Sequence, residues 1–279
     1  MSDGVHLRNN LGSEESGNGL TQALWADCPL DSIRNGTIQG IICEPPLHSY
    51  QETATTVENA CGLPTFDNDC TVKGVPAAGG GVALFGTSDT NEGSLQIGGD
   101  TAAAFVIPAD SASGKKLWFE VEVKKSLITA NKAGFFVGLA GEGSGAAGFL
   151  AETDFADVDL LGFWNKEGDD TDVDIVCQKT GAAFDTILAD AEHLEADTYT
   201  RLGFVYDPDG PDKRKIKFYV NGVPLTTYVG EDEGDATVYL GDTTNFPGGE
   251  EMSPLIHMEM AANDDVTVTL RRLRCVQLL

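Results

Sequence analysis

Basic side chains are scarce: 18 Lys and Arg stand against 44 Asp and Glu in 279 residues, a formal charge of −26. A surface of that sign repels a phosphate backbone and an anionic bilayer, which argues against nucleic acid and membrane as partners. Long apolar runs are missing too. The opening residues carry neither a basic leader nor an apolar stretch of signal length, and no segment reaches the length of a membrane span. The expectation is a chain made in the cytoplasm that stays soluble. Metal-binding spacings are also absent: the cysteines, at 28, 43, 61, 70, 177 and 275, include no C-x-x-C pair, and His6, His48, His193 and His257 form no H-x-H or H-E-x-x-H unit. That speaks against zinc and leaves no cofactor to expect. The four early cysteines could be read as a small disulfide framework, but a chain made without an export signal keeps its thiols reduced, so free thiols are favoured. Helical periodicity is rare, with Ile187 to Leu194 the only short helix expected in the second half.

Glycine is plentiful, 33 residues without a G-X-Y period, and 41% of the chain is hydrophobic, the composition of a β protein with many tight turns and a real core. Short apolar runs separated by turn residues begin near residue 82. Val82 to Phe85, Ala102 to Ile107, Leu160 to Trp164, Val173 to Gln178, Arg201 to Tyr206, Leu255 to Met260 and Val266 to Leu270 all read as strands. In Leu117 to Lys124 the alternation puts Phe119, Val121 and Val123 on one face and Glu120, Glu122 and Lys124 on the other. Gly134 to Leu139 is apolar on both faces and belongs in the middle of a sheet. Lys215 to Val220, Asn221-Gly222 and Val223 to Leu225 spell a hairpin, because both central turn residues need positive φ. About a dozen strands exceed a seven-strand immunoglobulin domain and suit an all-β, two-sheet antiparallel jelly roll. Residues 1–75 differ: turn formers, scattered acids, Pro45-Pro46 and few alternating runs, with one helical turn at Leu20 to Leu24 and one strand within Ile38 to Cys43. The division expected is an irregular N-terminal arm, 1–75, that needs another surface to become ordered, and a sandwich, 76–279.

The succession Trp118-Phe119-Glu120-Val121-Glu122, Gly134 to Leu139, Arg201-Leu202-Gly203-Phe204-Val205-Tyr206, Phe218-Tyr219-Val220-Asn221-Gly222 and Leu270 to Arg274 resembles the concanavalin A-like lectin/glucanase superfamily. The resemblance implies a β-sandwich over about residues 82–279. It leaves function open, since lectins, glycosidases, adhesion modules and viral shell proteins share the fold. In overall style, an acidic glycine-rich jelly roll behind an irregular arm also resembles the capsid decoration or head-surface proteins of tailed bacteriophages.

Catalysis of the laminarinase type would need E-x-D-x-x-E on one strand. The nearest passage, Asp172-Val173-Asp174-Ile175-Val176-Cys177, ends in a cysteine and lacks the second carboxyl of a retaining pair. No enzyme and no catalytic residue is expected. Glu120 and Glu122 read as ordinary solvent-side acids, and His257 as a strand-surface or hydrogen-bonded core residue. The loops Asp207 to Asp212 and Asp169 to Asp172 carry enough oxygens for calcium, but Phe218 stands where an EF-hand needs its glutamate, and solvated turns are the favoured reading. Of the three tryptophans, Trp164 is the candidate platform for a sugar ring, against a bland role in packing. The resulting expectation is a virion structural protein on the capsid surface. Its arm would dock on the major capsid protein and on copies of itself through Ile38, Ile41, Ile42 and Leu47. The alternative is a non-catalytic carbohydrate-binding or adhesion module with glycans as partners.

Overall fold

The computed structural model describes residues 21–44, 65–68, 70–74, 81–97, 103–110, 114–145, 148–151, 153–168, 171–211, 214–232, 238–242 and 244–279. Two short helices, α1 (Gln22–Trp25) and α2 (Leu30–Arg34), precede β1 (Gly40–Cys43), β2 (Thr65–Asn68), β3 (Thr71–Gly74), β4 (Val82–Gly86), β5 (Glu92–Gln96), β6 (Phe105–Val106), β7 (Leu117–Lys125) and β8 (Ala133–Gly141). There follow β9 (Leu160–Asn165), β10 (Asp172–Gln178), β11 (Asp185–His193), β12 (Thr200–Tyr206), β13 (Ile216–Val220), β14 (Val223–Val229), β15 (Glu251–Met260) and β16 (Val266–Leu278). They form two antiparallel sheets of eight strands. Sheet A runs β14-β13-β12-β7-β16-β4-β3 with β1 also on β16, and sheet B runs β11-β10-β9-β8-β15-β5-β2 with β6 also on β15.

Alternation builds the core. Phe119, Val121 and Val123 of β7, Leu202 and Phe204 of β12 and Ile216 and Phe218 of β13 face Phe135, Val137 and Leu139 of β8 and Leu161 and Phe163 of β9, all fully buried. Phe119 stacks on Phe204 at 5.0 Å, and Phe163 meets Phe218 edge-on at 6.3 Å across the two layers. Each ring so buried stabilises the fold by about 2–3 kcal/mol. The turn Asn221-Gly222 has φ of 49° and 84°, the type I′ geometry that joins β13 to β14.

The sandwich does not begin at residue 76. Strands β1 to β3 come from the segment assigned to the arm, and β1 pairs with the last residues of β16, Gly40 opposite Leu278 through Cys43 opposite Cys275. Nor is the outer face of sheet A open to water around Trp118, Val205 and Val276. Leu24, Trp25, Leu30 and Ile33 of the helices bury themselves on Trp118, Val205 and Val276, and Gly203 gives Leu24 its room, since a β-carbon there would lie 2.5 Å from Leu24 Cδ1. Glu120 is therefore no solvent-side acid. Its carboxylate accepts the Thr21 N–H on both oxygens and the Trp25 Nε1–H at 2.7 Å. Burial first, partly offset by those bonds, raises its pKa. Glu122 is equally enclosed: a bulge beside Leu270 inserts Arg271 into β16, so that Arg271 grips Glu122 with two bonds at 2.6 and 2.7 Å and Arg272 approaches at 3.5 Å.

The expected helix at Ile187 to Leu194 is the edge strand β11. Its pairing with β10 shifts register twice, and Asp190 has φ of 52°. Bulges break the two-residue period, so Ile187, Leu188, Ala191 and Leu194 fall at helical spacing in a chain that is extended.

Candidate functional site

The registers of sheet B line up Asp174, Trp164, Phe136, His257 and Ser94 in one row across its outer face. In the next row Gly138 opposes Gly162. A β-carbon on either would strike the tip of the Phe136 ring at 2.8 or 2.7 Å, so the two glycines make room for that ring on the sheet. Such a face could offer aromatic platforms to a ligand. It is covered instead by the connection between β8 and β9. Ser94 Oγ donates to Gly145 O at 2.6 Å, Gln96 Nε2 to Gly141 O at 2.7 Å, and the Gly148 N–H to Glu92 at 2.6 Å, which ties the connection down onto β5. Phe149, Leu150 and Phe155 then form a second apolar layer on Phe136, Leu160, Trp164, Val176 and Leu255.

Trp164 is thus no exposed platform. It is 0% exposed, with Phe155 at 4.6 Å, Phe184 edge-on at 5.3 Å and the Lys166 ammonium 5.1 Å over the ring. The sequence pair Phe163-Trp164 splits between the core and this outer layer, which alternation alone requires; that the outer layer has its own cover depends on the irregular connection just before β9, which alternation does not reveal. His257 lies in the same layer, 5.1 Å from Phe149, with neither ring nitrogen hydrogen-bonded. Burial pulls its pKa down to about 3, and the ring is neutral.

An open feature of sheet B lies at one end of its strands. Gly141 closes β8, Asp159 precedes β9, Thr180 follows β10 and Glu251 opens β15, and together they edge a cleft of about 570 Å³. Five carboxylates line it: Glu142, Asp157, Asp159, Glu250 and Glu251. Two are fixed by the turn after β10. Asp159 accepts the Thr180 N–H at 3.0 Å and the Thr180 hydroxyl at 2.8 Å, and Asp157 accepts the N–H of Gly181, whose φ of 88° turns that group toward it. Lys179 pairs with Glu250 at 3.0 Å. A wall of acceptors held on strand ends suits a ligand rich in donors, and it repels anions. No local motif announces this cleft, since its parts lie on three connections spread over more than a hundred residues.

Other expected sites resolve differently. Cys177 points into the inter-sheet core, where burial raises its thiol pKa, while Asp172 faces His193 and Asp174 faces Lys166, so that passage assembles no pair of catalytic carboxyls. Around Asp207 the loop is built on a lysine: Lys215 Nζ donates to the carbonyls of Pro208 and Gly210 at 2.8 and 2.9 Å, and Asp207 pairs with Lys116 at 2.7 Å. The ammonium takes the carbonyls a cation would use. Among the described residues no three His, Cys, Asp or Glu side chains form a group suited to a metal ion. Ile41 packs on the inter-sheet core and Ile42 on the helical layer, so both are engaged by their own chain; Ile38 is 38% exposed, and Leu47 lies outside the described residues.

No protein-family model and no curated relative matches the sequence. Solved structures do resemble it in fold. The carbohydrate recognition domain of Emp47p superposes with a TM-score of 0.54 at 10% identity, covering 85% of this chain and 97% of that one. That of Emp46p gives 0.55 at 12% identity, covering 83% and 94%. A protein of unknown function from Shewanella oneidensis MR-1 gives 0.51 at 11% identity, covering 90% and 94%. At such identities the likeness establishes the architecture, a concanavalin A-like jelly-roll sandwich, and nothing in it favours the virion expectation.

Proposed function

We propose that the chain is a non-catalytic carbohydrate-binding module that holds a neutral saccharide in the acidic cleft at the end of sheet B. The observation that carries this reading is the cleft itself: five carboxylates on strand ends in a hollow of about 570 Å³, within the usual range for small-ligand sites. Sugar hydroxyls donate to carboxylates, and a carboxylate already held by a neighbouring turn, as Asp159 is by Thr180, loses little freedom on accepting one more bond. The same charge turns away uronates and sulfated sugars. Architectural likeness to carbohydrate recognition domains supports the class of ligand.

Screening the full chain on an array of neutral and acidic glycans, followed by calorimetry on the strongest binder, tests the reading. Binding of neutral glycans is expected. Glu142 and Glu251 are exposed, so Glu142→Gln and Glu251→Gln leave the fold intact and each weaken binding by about tenfold, the loss of one charge-assisted bond. An array without neutral binders, or affinity indifferent to both substitutions, defeats the proposal.

A further inference from the structure

The pairing of β1 with β16 sets Cys43 directly opposite Cys275. Both side chains lie on the face that looks into the inter-sheet core: Cys275 is part of that core, and Ile41 and Cys43 pack against it. Both thiols are free in this structure. They are close enough for Cys43 to weigh on the titration of Cys275, whose pKa is raised by burial and then by that neighbour. No other two cysteines among the described residues face each other across a strand pair.

We propose that Cys43 and Cys275 are a cross-linking site, oxidised to a disulfide by a low-molecular-weight disulfide such as glutathione disulfide. The geometry allows it. Leu279 N donates to Gln39 O, so by alternation 275 and 43 form a hydrogen-bonded pair, for which α-carbons stand about 5.5 Å apart. Disulfides occupy about 4.4–6.8 Å. The β-carbons of opposed residues, about 4.5–5.5 Å apart, must draw in by about 1 Å. Cys43 can make that movement because it is the last residue of a four-residue strand. The neighbouring position already holds the two segments together, since Glu44 pairs with Arg274 and with Arg34.

Burial also fixes when the reaction happens. The Cys43 thiol is pushed up to about 12, chiefly by burial and then by Glu44, so a docked β1 presents almost no thiolate. Cross-linking belongs to folding, before β1 docks. One thiolate attacks glutathione disulfide and releases one glutathione; the second displaces the other. Two thiol hydrogens leave on two reduced glutathiones, and one S–S bond joins the N-terminal segment to the C-terminal strand.

Refolding the full chain in a glutathione redox buffer, alkylating and digesting without reduction, and analysing the peptides by mass spectrometry tests the site. The expected product is a linked peptide pair carrying Cys43 and Cys275, two hydrogens lighter than the sum. Its thermal midpoint rises by roughly 5 °C over the reduced chain, because the bond closes a very long loop. Cys43→Ser, at the half-buried position, abolishes both the linked peptide and the rise. Cys43→Ala repeats the result should serine disturb the strand. Recovery of both cysteines alkylated after oxidative refolding, or of Cys275 linked to a different cysteine, overturns the proposal.

Discussion

Two side chains on the outer face of sheet B contribute to the pH response of the fold with opposite signs. His257, held near 3 by burial, is neutral when folded and takes a proton near its ordinary 6.5 only when unfolded. Its contribution is whole above 6.5 and is lost as pH falls toward 3. Glu259 has the opposite sign: burial, then the charges of Glu167 and Glu92, raise it from 4.5 to about 8, and Glu92 stands directly across the strand pair. Its contribution is whole below 4.5 and is lost as pH rises to 8. Between 4.5 and 6.5 the two slopes offset each other. Urea unfolding followed across pH is therefore expected to give a plateau of stability at about pH 4.5–6.5, falling on both sides. Glu259→Gln removes much of the alkaline fall and leaves the acid one. A midpoint that climbs from pH 6.5 to 8, or an alkaline limb indifferent to Glu259→Gln, contradicts the assignment.

At the scale of elements, legibility in the sequence follows regularity. The alternation of β7 and the turn Asn221-Gly222 declare themselves because their periods and dihedrals are those of undistorted elements. β5, Glu92 to Gln96, has a single large apolar residue and is a strand because its outer side chains hold the connection over sheet B. β11 misleads because its bulges mimic a helical period. Asp190 carries the test of that explanation. It sits at φ 52° and its N–H donates to Asp174 at 3.0 Å. A left-handed residue with a side chain costs about 1–2 kcal/mol, less for aspartate and nothing for glycine. Asp190→Gly should leave the denaturation midpoint unchanged or slightly raised, whereas Asp190→Val should lower stability by about 1–2 kcal/mol. Equal midpoints for the two variants would mean that the bulge relaxes without strain. The cleft is less legible than any strand: carboxylates on three separate strand ends share no spacing that a linear reading could detect.

For the whole molecule, the consequence concerns where the domain starts. Trp118, Val205 and Val276 would be an apolar patch on the outer face of sheet A if α1 and α2 were removed, and Glu120 would lose the Thr21 and Trp25 donors that compensate its burial. Leu24, Trp25, Leu30 and Ile33 are each almost completely buried there. At roughly 2–3 kcal/mol for each, their loss is comparable with the whole stability of a domain, about 5–15 kcal/mol. Deleting residues 1–43 also strips β1 from the end of β16 and leaves a strand edge bare, a site for pairing between chains. The truncated chain is thus expected to aggregate or to bind a hydrophobic dye strongly, despite a net charge that opposes association. Deleting residues 1–20 keeps α1, α2 and β1, and should preserve the elution behaviour and the thermal midpoint of the full chain. Were the shorter chain, from residue 44 onward, soluble, monomeric and unchanged in its melting, the helical layer would be an appendage rather than part of the sandwich, and an arm free to dock elsewhere would again be the better description.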